Sequence, residues 1–136
     1  MPARPEGGDD GMIGRLQCTV LDCPDPRALA RFYGGLLGGE VNRPDPRWSL
    51  DADWATLHLD GGQVLAFQRA DPYHPPAWPD PARPQQFHLD VGVPDLARAR
   101  RRVLDLGAAP LDDGDPARGW HVYADPAGHP FCLVRE

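Results

Sequence analysis

His88 and Asp90 stand two residues apart in a stretch, Gln86 to Val91, that alternates polar with apolar residues. A strand there puts Gln86, His88 and Asp90 on one face and Phe87, Leu89 and Val91 on the other. Imidazole is the side chain whose ordinary pKa lies nearest neutrality, and beside a carboxylate it can take up and return a proton. His88, His121 and Asp90 are therefore the catalytic candidates, with His58 a further base. No nucleophile or paired carboxylate is fixed beside them by spacing, so plain ligand binding stands next to catalysis. Pairing across a turn at Asp125 to Gly128 would set His121 opposite Cys132 and Tyr123 opposite Pro130, leaving Val122 and Phe131 on the core side. Cys132, His121 and Tyr123 would then share the His88 face, and a thiolate–imidazolium pair would become conceivable. Trp54, Trp78, Tyr73 and Tyr123 offer flat apolar walls for an aromatic or heterocyclic ligand, with core packing or a dimer contact as their ordinary alternative.

The elements that must position these residues repeat. Pro24-Asp25 opens a run ending at Leu37-Gly38, and Pro94-Asp95 opens one ending at Leu106-Gly107, 70 residues later. Each reads as a helix cap, about three turns of helix and a glycine stop. Leu29, Phe32, Tyr33 and Leu36 form the buried stripe of the first helix. Leu96, Val103 and Leu106 do so in the second, where Arg98, Arg100, Arg101 and Arg102 read as a solvated face rather than an anion site. A strand from Leu16 to Asp22 precedes the first helix. An irregular edge strand broken by Pro44 and Pro46 follows it, then a hairpin of Trp54 to Leu59 and Gln63 to Arg69 around Asp60-Gly61-Gly62. That loop pairs Leu57 with Leu65 and leaves Trp54, Thr56, His58, Ala66 and Gln68 on the other face. Each half thus reads β-α-β-β-β.

Between the halves, Asp71 to Gln85 holds six prolines in fifteen residues, with Tyr73, His74 and Trp78 among them. Such a connector is too long and stiff for a turn and is expected to cross the surface, with Trp78 at the mouth of a cleft. The chain of 136 residues carries a net charge of −6, and all 14 of its basic residues are arginine. So acidic a chain is a poor partner for nucleic acid, and no apolar run reaches the length of a membrane helix. The N-terminal residues have neither the charge nor the apolar stretch of a signal peptide, so a cytoplasmic protein is expected. Three cysteines read as thiols rather than a disulfide framework.

The segments LDCPDPRALARFYGGLLG, LAFQR, WPDPARPQQFHLDV and VYADPAGHPFCLV resemble the vicinal oxygen chelate superfamily, which includes glyoxalase I, extradiol dioxygenases and bleomycin-resistance proteins. The glyoxalase-like domain proteins of bacteria resemble the chain most closely. The resemblance implies an α+β fold in which two tandem βαβββ modules form a curved mixed sheet around a cleft. In metal-dependent relatives, four inward side chains hold a divalent ion, and the resemblance carries their positions onto Cys18, Ala66, His88 and Cys132, with Gln17 the alternative to Cys18. Only His88 is of the expected kind, the family's carboxylate is absent, and alanine coordinates nothing. A set of Cys18, His88 and Cys132 would be soft and suited to zinc. Its alternative has His88 hydrogen-bonded to Asp90, His121 or a ligand, with the cysteines as buried fillers.

The expectation is a disordered tail at 1–12 and one domain at 13–136, made of module one at 13–70, a connector at 71–85 and module two at 86–136. Its function is to bind a small organic molecule, without the family's usual metal, through Trp54, His58, Gln68, Trp78, His88, Asp90, His121, Tyr123 and Cys132. The alternative is a lyase, isomerase or dioxygenase, either dependent on a zinc-like ion through His88 or metal-free with a His/Asp pair. The partner is a small-molecule ligand or substrate, and a homodimer stays open.

Overall fold

The structure, a computed structural model, describes residues 14–136; the tail expected at 1–12 lies outside the described residues. The first half contributes β1 (Thr19–Cys23), α1 (Pro26–Leu37), β2 (Glu40–Val41), β3 (Trp54–His58) and β4 (Val64–Arg69). The second contributes β5 (Leu89–Val93), α2 (Leu96–Leu106), β6 (Ala109–Pro110), β7 (Trp120–Ala124) and β8 (Pro130–Arg135). They build two four-stranded mixed sheets, ordered β1-β4-β3-β2 and β5-β8-β7-β6, so the fold is α+β with the same topology in each half. In both, the first strand runs parallel to the last, and the remaining pairs are antiparallel.

Both helices start as their sequences require. The Asp25 carboxylate accepts from the Ala28 N–H at 3.2 Å and the Asp95 carboxylate from the Arg98 N–H at 3.0 Å, satisfying amides that have no partner within the helix. Leu29, Phe32 and Tyr33 are buried on α1 and Leu96 and Val103 on α2, whereas Leu106 remains 39% exposed. These faces meet the inward residues of both sheets in one apolar cluster that joins Tyr33 and Phe67 to Tyr123, Phe131 and Leu133.

Three strand expectations change. Leu16 is 88% exposed and β1 begins only at Thr19. Phe87 is 53% exposed and precedes β5, so Leu89, Val91 and Val93 pack on the core in its place. The broken edge strand shrinks to Glu40–Val41 and a bridge between Asp51 and Trp54.

The first hairpin keeps its expected register, Leu57 with Leu65. The second does not, for β7 pairs His121 with Leu133, Val122 with Cys132 and Tyr123 with Phe131. The cause is the turn. Asp125 N–H bonds the His129 carbonyl at 2.9 Å, while the Asp125 carboxylate accepts from the N–H groups of Ala127 and His129. Those bonds hold three residues in the loop, with Gly128 in the left-handed region at φ +93°. One residue more in the turn moves every β7 side chain to the opposite face.

Candidate functional site

The register decides what lies on the outer face of the second sheet. Asp90 pairs with Cys132 in the parallel ladder, and Val122 pairs with Cys132 on its other side, so the three form a row across β5, β8 and β7. Trp120 and Val134 form the next row. His88, immediately before β5, leans over the first row with its Nε2 3.2 Å from an Asp90 carboxylate oxygen. Ligand-type atoms of His88, Asp90 and Cys132 all lie within 4.8 Å of one another. Trp78 and Gln85 of the connector close the side, and these residues line a cavity of about 430 Å³. Trp78, from the proline-rich connector, is thus one of the residues lining this cavity.

The Cys132 thiol is pushed up to about 11 by burial, and further by the negative charge of Asp90 and a hydrogen bond to it. It is therefore a neutral thiol near pH 7, a weak nucleophile. The expected thiolate–imidazolium pair with His121 does not form, because His121 is on the other face, 4% exposed, with Nε2 2.8 Å from the Asp115 carbonyl. Tyr123 is also on the core side, fully buried and stacked on Phe131 at 5.7 Å, so it is not a cavity residue.

The candidates of the first half are held apart from this cavity. Trp54 and Gln68 line an open groove with Arg47, Trp48 and Asp51. His58 is 5% exposed and meets the Trp48 ring edge-on at 5.9 Å. Trp54 Nε1, Thr56 Oγ1 and His58 Nε2 are buried without a hydrogen-bond partner among the described residues. Cys18 has its thiol pKa raised by burial, against the nearby positive charge of Arg47.

The family's four metal positions do not fit an ion as a set. Ala66 is fully buried and carries no donor atom, and Cys18 is absent from the cluster, beside a guanidinium that opposes a second cation. Asp90 stands instead with His88 and Cys132. The sequence reading missed Trp120, Val122, Val134 and Gln85 as site residues. The first three follow from alternation around Cys132 once the turn is given three residues.

The glyoxalase-like domain model matches residues 18–134, nearly all of the described chain. The chain belongs to the glyoxalase-like domain family. Its membership of the vicinal oxygen chelate superfamily rests on the same match and on the fold. The chain is 27% identical over 139 residues to an ethylmalonyl-CoA/methylmalonyl-CoA epimerase of Cereibacter sphaeroides, covering 90% of this chain and 96% of that one. Among solved structures, a glyoxalase/bleomycin resistance protein/dioxygenase family enzyme of Burkholderia phytofirmans superposes with a TM-score of 0.65 at 15% identity, over 90% of this chain and 98% of that one. A mutant of the fosfomycin resistance protein FosX from Listeria monocytogenes, complexed with Mn(II) and a dihydroxypropylphosphonic acid, gives 0.61 at 16% identity over 91% and 93%. At these identities the structural likeness establishes the fold alone. In this glyoxalase-like chain no described helix is long and apolar enough to cross a membrane.

Proposed function

We propose that this glyoxalase-like protein binds a small organic molecule, aromatic or heterocyclic, on the outer face of its second sheet, without the family's usual metal. The observation that carries the reading is the convergence of His88, Asp90 and Cys132 on the floor of a cavity walled by Trp78, Trp120, Val122 and Val134. Indole faces supply area at low entropic cost, and the floor supplies a few polar groups that fix orientation. His88, held by Asp90, offers the ligand a hydrogen bond. On the same reading the partner is a small molecule rather than nucleic acid, and the protein is cytoplasmic, alone or as a homodimer.

The 3.2 Å pair of His88 and Asp90 favours a second reading, in which the chain is a metal-free isomerase or lyase. Asp90 would orient the ring, and His88 would take a proton from a bound carbon acid and return it. The name of the Cereibacter relative, an epimerase, is compatible with this. A thermal-shift ligand screen on wild type, Trp78→Ala and His88→Ala tests the first reading. Trp78→Ala should weaken affinity for each hit more than it lowers the melting temperature, and equal affinity would return Trp78 to a structural role. With a hit in hand, loss of turnover at saturating ligand in His88→Ala would favour the enzyme. Stoichiometric zinc in protein purified without a histidine tag, lost on His88→Ala, would overturn the metal-free reading.

A further inference from the structure

A second cavity, of about 510 Å³, opens between the end of β1, the turn before β8 and the proline-rich connector. Tyr73, His74, Arg83, Gln86, Phe87 and His129 line it, and His88 and Gln85 line both this cavity and the one above. The two spaces are neighbours that share a wall.

The polar lining of this second space is unlike the rest of the molecule. The chain has a net charge of −6, yet the cavity holds one guanidinium, three imidazoles and two carboxamides against a single carboxylate, that of Asp22. The Arg83 guanidinium has no acceptor or acidic partner among the described residues. Its backbone, in contrast, is fixed. Arg83 N–H bonds the Asp80 carbonyl at 3.1 Å, and its carbonyl accepts from Ala77 N–H at 2.8 Å. The opposite wall is fixed as well, by the Tyr73 hydroxyl donating to the Ala127 carbonyl at 2.7 Å and by His129 Nε2 lying 2.6 Å from the Asp22 carbonyl. Phe87 is a large exposed apolar side chain that gains a purpose as the apolar wall of this space.

We propose that the ligand is an organic anion that spans both cavities, its carboxylate or sulfonate group held at Arg83 and its flat apolar body lying between Trp78 and Trp120. This rests on the reading that the second-sheet cavity binds a small molecule. An arginine reads a planar or tetrahedral oxyanion through paired N–H donors, and the N–H groups of His74, Gln85 and Gln86 complete the shell. Aromatic walls hold the uncharged end. His88 and Gln85, in the shared wall, meet the junction of the two parts.

Fluorescence titration with anilinonaphthalene sulfonate and with phenylnaphthylamine, the same fluorophore without the sulfonate, tests this. The sulfonate is expected to bind wild type about tenfold more tightly than its neutral parent, the size of one charge-assisted hydrogen bond. Arg83→Gln should abolish that difference while leaving the neutral affinity and the melting temperature unchanged, and added salt should erode it in wild type alone. Trp78→Ala and Trp120→Ala should weaken both probes. Equal affinity of the two probes for wild type, or a preference for the sulfonate that survives Arg83→Gln, would overturn the anion assignment and leave the small-molecule reading standing. A neutral probe indifferent to both tryptophan substitutions would instead remove the reading on which it rests.

Discussion

Asp125 is 4% exposed, and its carboxylate accepts from the Tyr33 hydroxyl at 2.6 Å as well as from two backbone N–H groups. Burial outweighs these donors and raises its pKa above the ordinary 3.8. Burial and the charge of Asp125 raise that of the Tyr33 phenol as well, which stays a hydrogen-bond donor. An acid whose folded pKa is raised binds its proton more tightly in the native state. Its contribution to stability is complete below pH 3.8 and is lost as the pH rises through the raised value. Asp125→Asn, which cannot ionise, is therefore expected to gain stability relative to wild type as the pH is raised out of the acid range. Urea unfolding at several pH values measures this, and a gap independent of pH would contradict it. Tyr33→Phe strips a donor from a buried carboxylate and should cost about 1–3 kcal/mol near neutral pH by the same assay. Thr56 is the opposite case. Its hydroxyl is fully buried with no partner among the described residues, so Thr56→Val should raise stability by about 1 kcal/mol. A loss on that substitution would mean the hydroxyl is satisfied by bound water.

At the scale of elements, the turn before β8 positions the site twice over. It sets the β7 register, and it carries the connector, because a Cβ added at Gly128 would stand 2.9 Å from the Pro75 Cβ. Gly128→Ala meets that ring and also the cost of a left-handed φ, about 1–3 kcal/mol. It should lower the melting temperature and speed amide hydrogen exchange across residues 73–86. Tyr73→Phe, which deletes the bond to Ala127 but leaves the turn intact, should speed exchange in the same segment with a smaller loss of stability. Unchanged exchange in both variants would show that the connector is held by other contacts. The helices were legible because a cap, a first-turn proline and a terminal glycine are local signals. The second hairpin was misread because a four-residue motif fits two loop lengths, and only the Asp125 side chain chooses between them.

Across the whole molecule, the two halves share their interior. Phe131 of β8 is fully buried, with its ring 5.8 Å from Phe32 and 6.4 Å from Tyr33 of α1, and 5.7 Å from Tyr123 of its own half. Phe131→Ala should cost about 3–5 kcal/mol. Because the lost contacts reach into both halves, wild type and variant should each unfold in one transition. Tryptophan fluorescence, reporting Trp48 and Trp54 of the first half, Trp78 of the connector and Trp120 of the second half, should coincide with far-ultraviolet circular dichroism. Separate transitions would mean that the halves are independent units.

The sequence by itself determined the duplicated β-α-β-β-β plan, the helix boundaries and the pairing of the first hairpin. All of these follow from neighbours in the chain: caps, alternation and repeat spacing. Only the tertiary structure decided that His121 and Tyr123 point into the core, that Trp120 and Val122 replace them, and that Trp54, His58 and Gln68 lie apart from the cavity. Which face of β7 is inward depends on the three-residue loop that the Asp125 carboxylate holds, itself bonded to Tyr33 of the other half, and the segment bearing Trp48 settles against the His58 ring. Those are questions of packing between residues distant in the chain, where no local pattern carries the answer.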